Sequence, residues 1–292
     1  MDQRFKQEMQ MRFKAALIAL AMTFTGITGL AQQTNSASQT ADIKEVIRRF
    51  AAAESENKVA RNNYTFTQDL DIMTIGEAGS ITGRFHRISD IIYDDLGNRI
   101  EKITFFPIST LKDLILTPED MQDLAGVQPF ALTTEDLPKY LINFSGKEKI
   151  DEITTYAFDV KPKEFKKGER YFEGRIWVDD QDLQIVKVAG KAVPEVGKQK
   201  FPRFESFREN IDGRYWFPTY VAVDDVLEFA KASSVHMKMT VRYTNYKKFS
   251  GRIKVVDEGE AVPEDAKSPD KNKPTAEPVK PPEPPKPVLK RP

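Results

Sequence analysis

The sequence has 292 residues, 40% hydrophobic and 30% charged, enough apolar material for one packed domain of roughly 200 residues plus appendages. Lys plus Arg total 44 and Asp plus Glu total 44, a balance without the basic surface that nucleic acid requires, so no nucleic-acid partner is expected. Cysteine is absent, which excludes a disulfide scaffold, a cysteine nucleophile, thiolate zinc sites and a thioether lipid anchor.

Arg12 and Lys14 form a positive n-region, residues 15–24 an apolar h-region, and Gly29-Leu30-Ala31 offer the small residues a signal peptidase reads. The pattern predicts a signal peptide over residues 1–31, cleaved after Ala31. A membrane span is the competing reading. It needs about 20 apolar residues, and Thr23, Thr25, Gly26 and Thr28 dilute the stretch before that length. Removing residues 1–31 leaves 40 basic against 42 acidic residues, a net charge of −2. An export signal with no cysteine fits a bacterial envelope better than a small eukaryotic secreted domain, which usually needs disulfides. The expected location is the periplasm, as a soluble protein.

Residues 32–256 are predicted to form one domain. A polar leader at 32–39 precedes a helix from Asp42, where Asp42 and Glu45 stand at capping-box spacing and Ile43, Val46, Ile47 and Phe50 share a face up to about Lys58. From Tyr64 the period changes to two, as in a strand with one wet face. Similar runs follow at 81–93, 99–106, 140–148, 153–161, 171–179, 183–192, 203–210, 214–223 and 235–248. The clearest sets Val235, Met237, Met239, Val241 and Tyr243 against His236, Lys238, Thr240, Arg242 and Thr244. Turn chemistry at 94–98, 179–182 and Asp212-Gly213 makes antiparallel hairpins the natural connections.

One helical interruption is signalled at Thr117-Pro118-Glu119-Asp120, with Gly126 as its stop, and Thr134-Glu135-Asp136-Leu137 would begin a third, shorter turn. Helices do not alternate with strands, so the fold is not doubly wound. The predicted class is α+β: a large, curved antiparallel sheet with two or three helices on its concave face.

From Asp257 to Pro292 the chain holds 10 of the 18 prolines and no aromatic residue. Such a stretch buries too little apolar surface to offset its ordering entropy, so residues 257–292 are predicted to be a disordered proline-rich tail. Extended at about 3.1 Å per residue, its last 30 residues would reach on the order of 90 Å, as a spacer or a docking ligand.

Motifs for covalent chemistry are missing. No Gly-x-Ser-x-Gly elbow, His-Glu-x-x-His helix or phosphate-binding glycine loop occurs. The two histidines are His86 and His236, the latter on the polar face of the clearest strand. Asp179, Asp180 and Asp182 could be read as a calcium site, but the glycine and distal glutamate of a calcium loop are lacking, and a hairpin turn is the better account. No catalytic residue, metal ligand or cofactor is assigned, and the expected protein is not an enzyme.

The inward faces of the strands are richer in information. Phe66, Leu70, Ile72, Tyr156, Phe158, Val160, Ile176, Val178, Met237, Met239 and Val241 would converge on one side of the sheet. Methionine and aromatic groups fill irregular space and tolerate varied partners. They are core residues packed on the helices or, because the sheet offers more apolar face than short helices cover, the lining of a hydrophobic cavity.

Residues 171–179 (YFEGRIWVD), then Leu183-Gln184-Ile185-Val186-Lys187 with Gly190-Lys191, and the run NIDGRYWFPT at 210–219 resemble the LolA-like outer-membrane lipoprotein-sorting family. That family groups with the carriers LolA and LolB and the envelope sensor RseB. The resemblance covers about residues 40–250. It implies an open, incomplete β-barrel with helices as a lid over a cavity for acyl chains, and hence a periplasmic, non-enzymatic carrier of lipids or lipoproteins. The proline-rich tail departs from the carrier pattern. It supports the alternative, an envelope interaction or stress-sensor module tethered to a protein partner through its tail.

Overall fold

The structure, a computed structural model, describes residues 28–94, 97–117, 130–195, 201–229, 233–249 and 286–290, with side chains described from residue 42 onward. The chain divides into two compact units, residues 1–49 and 50–292. Within the first, Arg48 pairs with Glu45 one turn before it at 2.6 Å. Helix α1 spans Thr28–Arg61, so it begins well before the expected start at Asp42 and takes in the polar leader. Ala31, Gln32, Gln33, Ala37, Gln39 and Ala41 are helix formers, and nothing among them stops a helix. No helix among the described residues is long and apolar enough to cross a membrane.

Ten strands follow: β1 Tyr64–Ile75, β2 Ile81–Tyr93, β3 Arg99–Phe105, β4 Tyr140–Ile150, β5 Ile153–Pro162, β6 Tyr171–Asp179, β7 Ile185–Val193, β8 Phe204–Ile211, β9 Tyr215–Leu227 and β10 Val235–Lys248. Each matches a run of period-two patterning read from the sequence. They form one sheet in the order β3-β2-β1-β10-β9-β8-β7-β6-β5-β4, and every neighbouring pair is antiparallel. The order ends on β3 and β4, so the sheet is open.

Among the described residues α1 is the one α-helix, where two or three were expected. The helix read from Thr117 to Gly126 lies, apart from Thr117, outside the described residues. The turn read at Thr134 is a short 3-10 helix, Leu137–Lys139, whose proline blocks α-helical hydrogen bonding.

Turn chemistry works as the sequence suggests. Asp212 and Gly213 both take positive φ, 53° and 71°, as the central residues of a turn between β8 and β9 that the Arg214 N–H closes on the Ile211 carbonyl at 3.2 Å. At the β6–β7 turn, Asp179 is fully buried. Its Oδ1 accepts the backbone N–H groups of Gln181 and Asp182 at 2.6 and 2.8 Å, so the acidic cluster there builds a hairpin.

Two glycines in the family-like motifs have a packing reason. Gly174 on β6 faces Gly190 on β7, and the ring of Phe172 lies over both. A methyl at either position would come to 2.7 Å of the Phe172 Cζ, far inside van der Waals contact.

Candidate functional site

Register shows where the eleven apolar candidates go. Across β5 and β6, Tyr156 faces Val178 and Phe158 faces Ile176. Ile176 faces Val188 on β7, which faces Ser206 on β8, which faces Val221 on β9. Val221 faces Val241 on β10, and Val241 faces Leu70 as Met239 faces Ile72. Because side chains opposite one another in a ladder point the same way, this chain of pairs puts the candidates on one face. Alternation along each strand adds Val160, Met237 and Phe66.

The candidates fall into two groups on that face. Phe66, Leu70, Ile72, Met237, Met239 and Val241 sit on β1 and β10. Tyr156, Phe158, Val160, Ile176 and Val178 sit on β5 and β6, with β7, β8 and β9 between the groups. All are buried except Tyr156, which is half-buried and has the Lys147 ammonium 4.6 Å from its ring centroid.

The cover of this face is in part the helix read from the sequence, with Phe50 on its buried side, and in part a segment the sequence did not announce. Residues 50–61 of α1 bury Phe50, Ala51, Glu54, Asn57 and Ala60 at helical spacing, and the Phe50 ring lies 5.5 Å from that of Phe158. A second piece comes from Phe130 and Leu132, both buried, with Phe130 stacked on Phe172 at 4.3 Å.

A polar latch ties both pieces to the sheet. Arg208 Nη1 donates to the two carboxylate oxygens of Glu54 at 2.7 and 2.8 Å, and its Nη2 donates to the Phe130 carbonyl. Both side chains are almost wholly buried, at 4% and 0% exposure. Asn57 Nδ2 donates to Gln184 Oε1 at 2.7 Å, and Ser55 Oγ accepts the Thr134 N–H at 3.1 Å. Arg208 and Glu54 stand 154 residues apart, each within charged surroundings, so nothing in the sequence pairs them.

Two small cavities lie on this face among the described residues. A cavity of about 30 Å³ lies beside Phe66, Tyr243 and Tyr246 and one of about 20 Å³ beside Glu54, Arg208 and Trp216. Each is the size of about one water. Burial pushes the Tyr243 phenol up to about 12, and also raises that of Tyr246.

The outer face is mostly wet and charged. Arg175 pairs with Asp159 at 2.8 Å and Glu148 at 2.9 Å, and the Arg175 hydrogen bond holds the Asp159 carboxyl below its usual range. His236 and Lys238 both reach Asp224, at 2.6 and 3.3 Å, and the hydrogen bond from His236 does the same for that carboxyl. His86 lies 2.8 Å from Asp69. Both histidines are thus one half of a carboxylate pair. The chemistry on offer is apolar contact on one face and paired charge on the other.

Among the described residues the outer face carries an apolar island, formed by Ile153, Ala157, Trp177, Val186, Phe207, Trp216 and Tyr220, and closed by Leu289 from the far end of the chain. Beside it runs a groove of about 550 Å³, lined among others by Ala189, Glu205, Ala222, Asp224, Lys238 and Lys286.

No family model matches this chain, and no curated protein matches it. Among solved structures it is similar to LolA superfamily protein NE2245 from Nitrosomonas europaea, at 14% identity over 68% of this chain and 94% of that one, TM-score 0.30. It is also similar to a DUF1329 family protein from Desulfovibrio piger, at 14% identity over 72% of this chain and 95% of that one, TM-score 0.30. A third is MucB, solved in complex with MucA(peri), at 9% identity over 72% and 100%, TM-score 0.23. The LolA-like resemblance read from the sequence is met again among these structures.

Proposed function

We propose that this chain is an exported, non-enzymatic binding protein of the bacterial envelope, active in the periplasm after loss of residues 1–31. Its ligand is an acyl chain of a lipid or lipoprotein, taken up between the helix-facing side of the sheet and its cover. The observation behind this reading is the largely apolar face, with Phe66, Ile72, Met237 and Met239 at one end and Phe158 and Ile176 at the other, beneath a cover held by a polar latch.

Where Phe50 and Phe130 pack against this face, uptake requires the cover to lift. Breaking a buried pair such as Arg208–Glu54 costs about 3–5 kcal/mol. Burying a methylene returns about 0.8 kcal/mol, so roughly six methylenes offset the latch and a full acyl chain exceeds it. Release follows when a partner accepts the chain and the latch closes again.

Native mass spectrometry of residues 32–292, followed by organic extraction and lipid analysis, tests the proposal. A stoichiometric acylated species is the expected result. An empty protein that also takes up no fluorescent fatty acid would defeat it, and the second reading, a module that binds a protein partner, would stand in its place. That reading is favoured by the outer groove and the chain segment docked beside it.

A further inference from the structure

The described residues at the C-terminal end, 286–290, lie against the domain. Leu289 is fully buried, in the island that holds Trp177, Trp216, Phe207, Tyr220, Val186 and Ile153, while its neighbour Val288 is 56% exposed. The Leu289 backbone N–H donates to Asp151 Oδ2 at 2.9 Å, and Asp151 stands in the β4–β5 turn at φ 51°. Lys286 Nζ reaches Glu205 Oε2 at 3.1 Å, and Lys187 holds the other oxygen of that carboxylate at 3.0 Å. Burial works to raise the Glu205 pKa, but hydrogen bonds from Lys187 and Lys286 outweigh it and keep the carboxyl below its usual range.

One buried leucine, a carboxylate that accepts the backbone and a carboxylate that reads a lysine three residues earlier make the footprint of a short linear peptide: a single apolar anchor with a polar rim. The groove of about 550 Å³ continues from Lys286 along Ala189, Ala222, Asp224 and Lys238, so the surface is longer than the five residues it holds. On the other side of residues 250–285, the Phe249 N–H donates to the Asn63 carbonyl at 2.7 Å. Residues 286–290 are therefore covalently tethered to the domain they touch. Tethering of this kind supplies an effective concentration on the order of millimolar, which retains a ligand whose own affinity is modest.

We infer that the outer face carries a peptide-binding site for segments of Lys-Pro-x-Leu chemistry, and that the chain's own residues Lys286–Lys290 are its resident ligand. The site is exchangeable, because a peptide of the same chemistry competes with the tethered segment. It stands whether or not an acyl chain binds beneath the cover.

Both tryptophans of the protein, Trp177 and Trp216, lie in this island, so intrinsic fluorescence reads its occupancy. In the full chain, Leu289→Asp is expected to shift tryptophan emission to the red, and an added synthetic peptide, PPKPVLKRP, to reverse the shift saturably. The same peptide with Leu289→Asp should bind about tenfold or more weakly. A second measurement needs no variant to fold: the wild-type chain is cut by protease within residues 257–285, which removes the tether. Dilution should then shift the emission red, and excess peptide should restore it. Unchanged emission in both the variant and the diluted, cut protein would overturn the inference. So would a shift that the peptide fails to reverse, since the segment would then be a fixed part of the fold.

Discussion

The two faces of the sheet are covered in different ways. The helix-facing side is covered by residues 50–61 and 130–132, through interdigitated rings and one buried ion pair whose partners stand 154 residues apart. Among the described residues the outer side carries exposed ion pairs and an apolar island closed by a single leucine at the end of a proline-rich stretch. The first cover is part of the core, and removing a piece of it leaves charge or apolar surface stranded. The second is attached through one side chain and two carboxylates. A sheet wide enough to expose apolar surface on both sides can thus keep one side as its core and the other as a surface where a segment docks.

The comparison is broken most directly at the latch. Arg208→Met leaves the Glu54 carboxylate buried without its partner and should lower the unfolding free energy by about 3–5 kcal/mol in urea denaturation. Adding Glu54→Leu to it should recover most of the loss, since a buried pair replaced on both sides is often neutral. If the single variant unfolds like the wild type, the cover is held by its rings alone.

A smaller effect distinguishes the faces by pH. Tyr243 is buried on the helix-facing side, where burial raises its phenol from 10.0 to about 12. The folded state therefore holds that proton after the unfolded state has lost it. Stability from this group is complete below pH 10 and falls as the pH rises from 10 to 12, by on the order of 2 kcal/mol. Denaturation at stepped alkaline pH should show that decline, and Tyr243→Phe should reduce it by about that amount, the remainder coming from Tyr64 and Tyr246, whose phenols burial also raises.

The smallest effect belongs to the outer side. Arg84 reaches Asp71 at 2.7 Å with 43% of its side chain exposed, and Arg84→Ala should cost about 0.2–1 kcal/mol. A loss as large as that of the latch variant would erase the contrast between the faces.

Much of the sheet was legible because period-two patterning is a local signal: Val235 to Tyr243 alternate against His236 to Thr244, and the structure places them so. The same alternation put the eleven apolar candidates on one face. What escaped depends on contacts that no local window contains. Glu54 and Arg208 read as ordinary surface charges. Leu289 sits in a composition that argues for disorder, with only its apolar neighbour Val288 as a signal. The start of α1 was missed for a different reason: residues 31–41 have helix propensity but no apolar period to announce it. The size of the interior cavities depends on how rings from three segments fit together, which composition does not encode.

The strand order has a consequence for how the molecule assembles. β1 is hydrogen-bonded to β10 along its length, from Tyr64 opposite Lys248 to Ile75 opposite His236, so the first strand made waits for the last. Local hairpins can form as the chain emerges. The three-stranded N-terminal piece gains its second neighbour only when residue 248 is available, and closure over such a separation is slow. On the proposed export route, pairing of β1 with β10 waits until Lys248 has crossed.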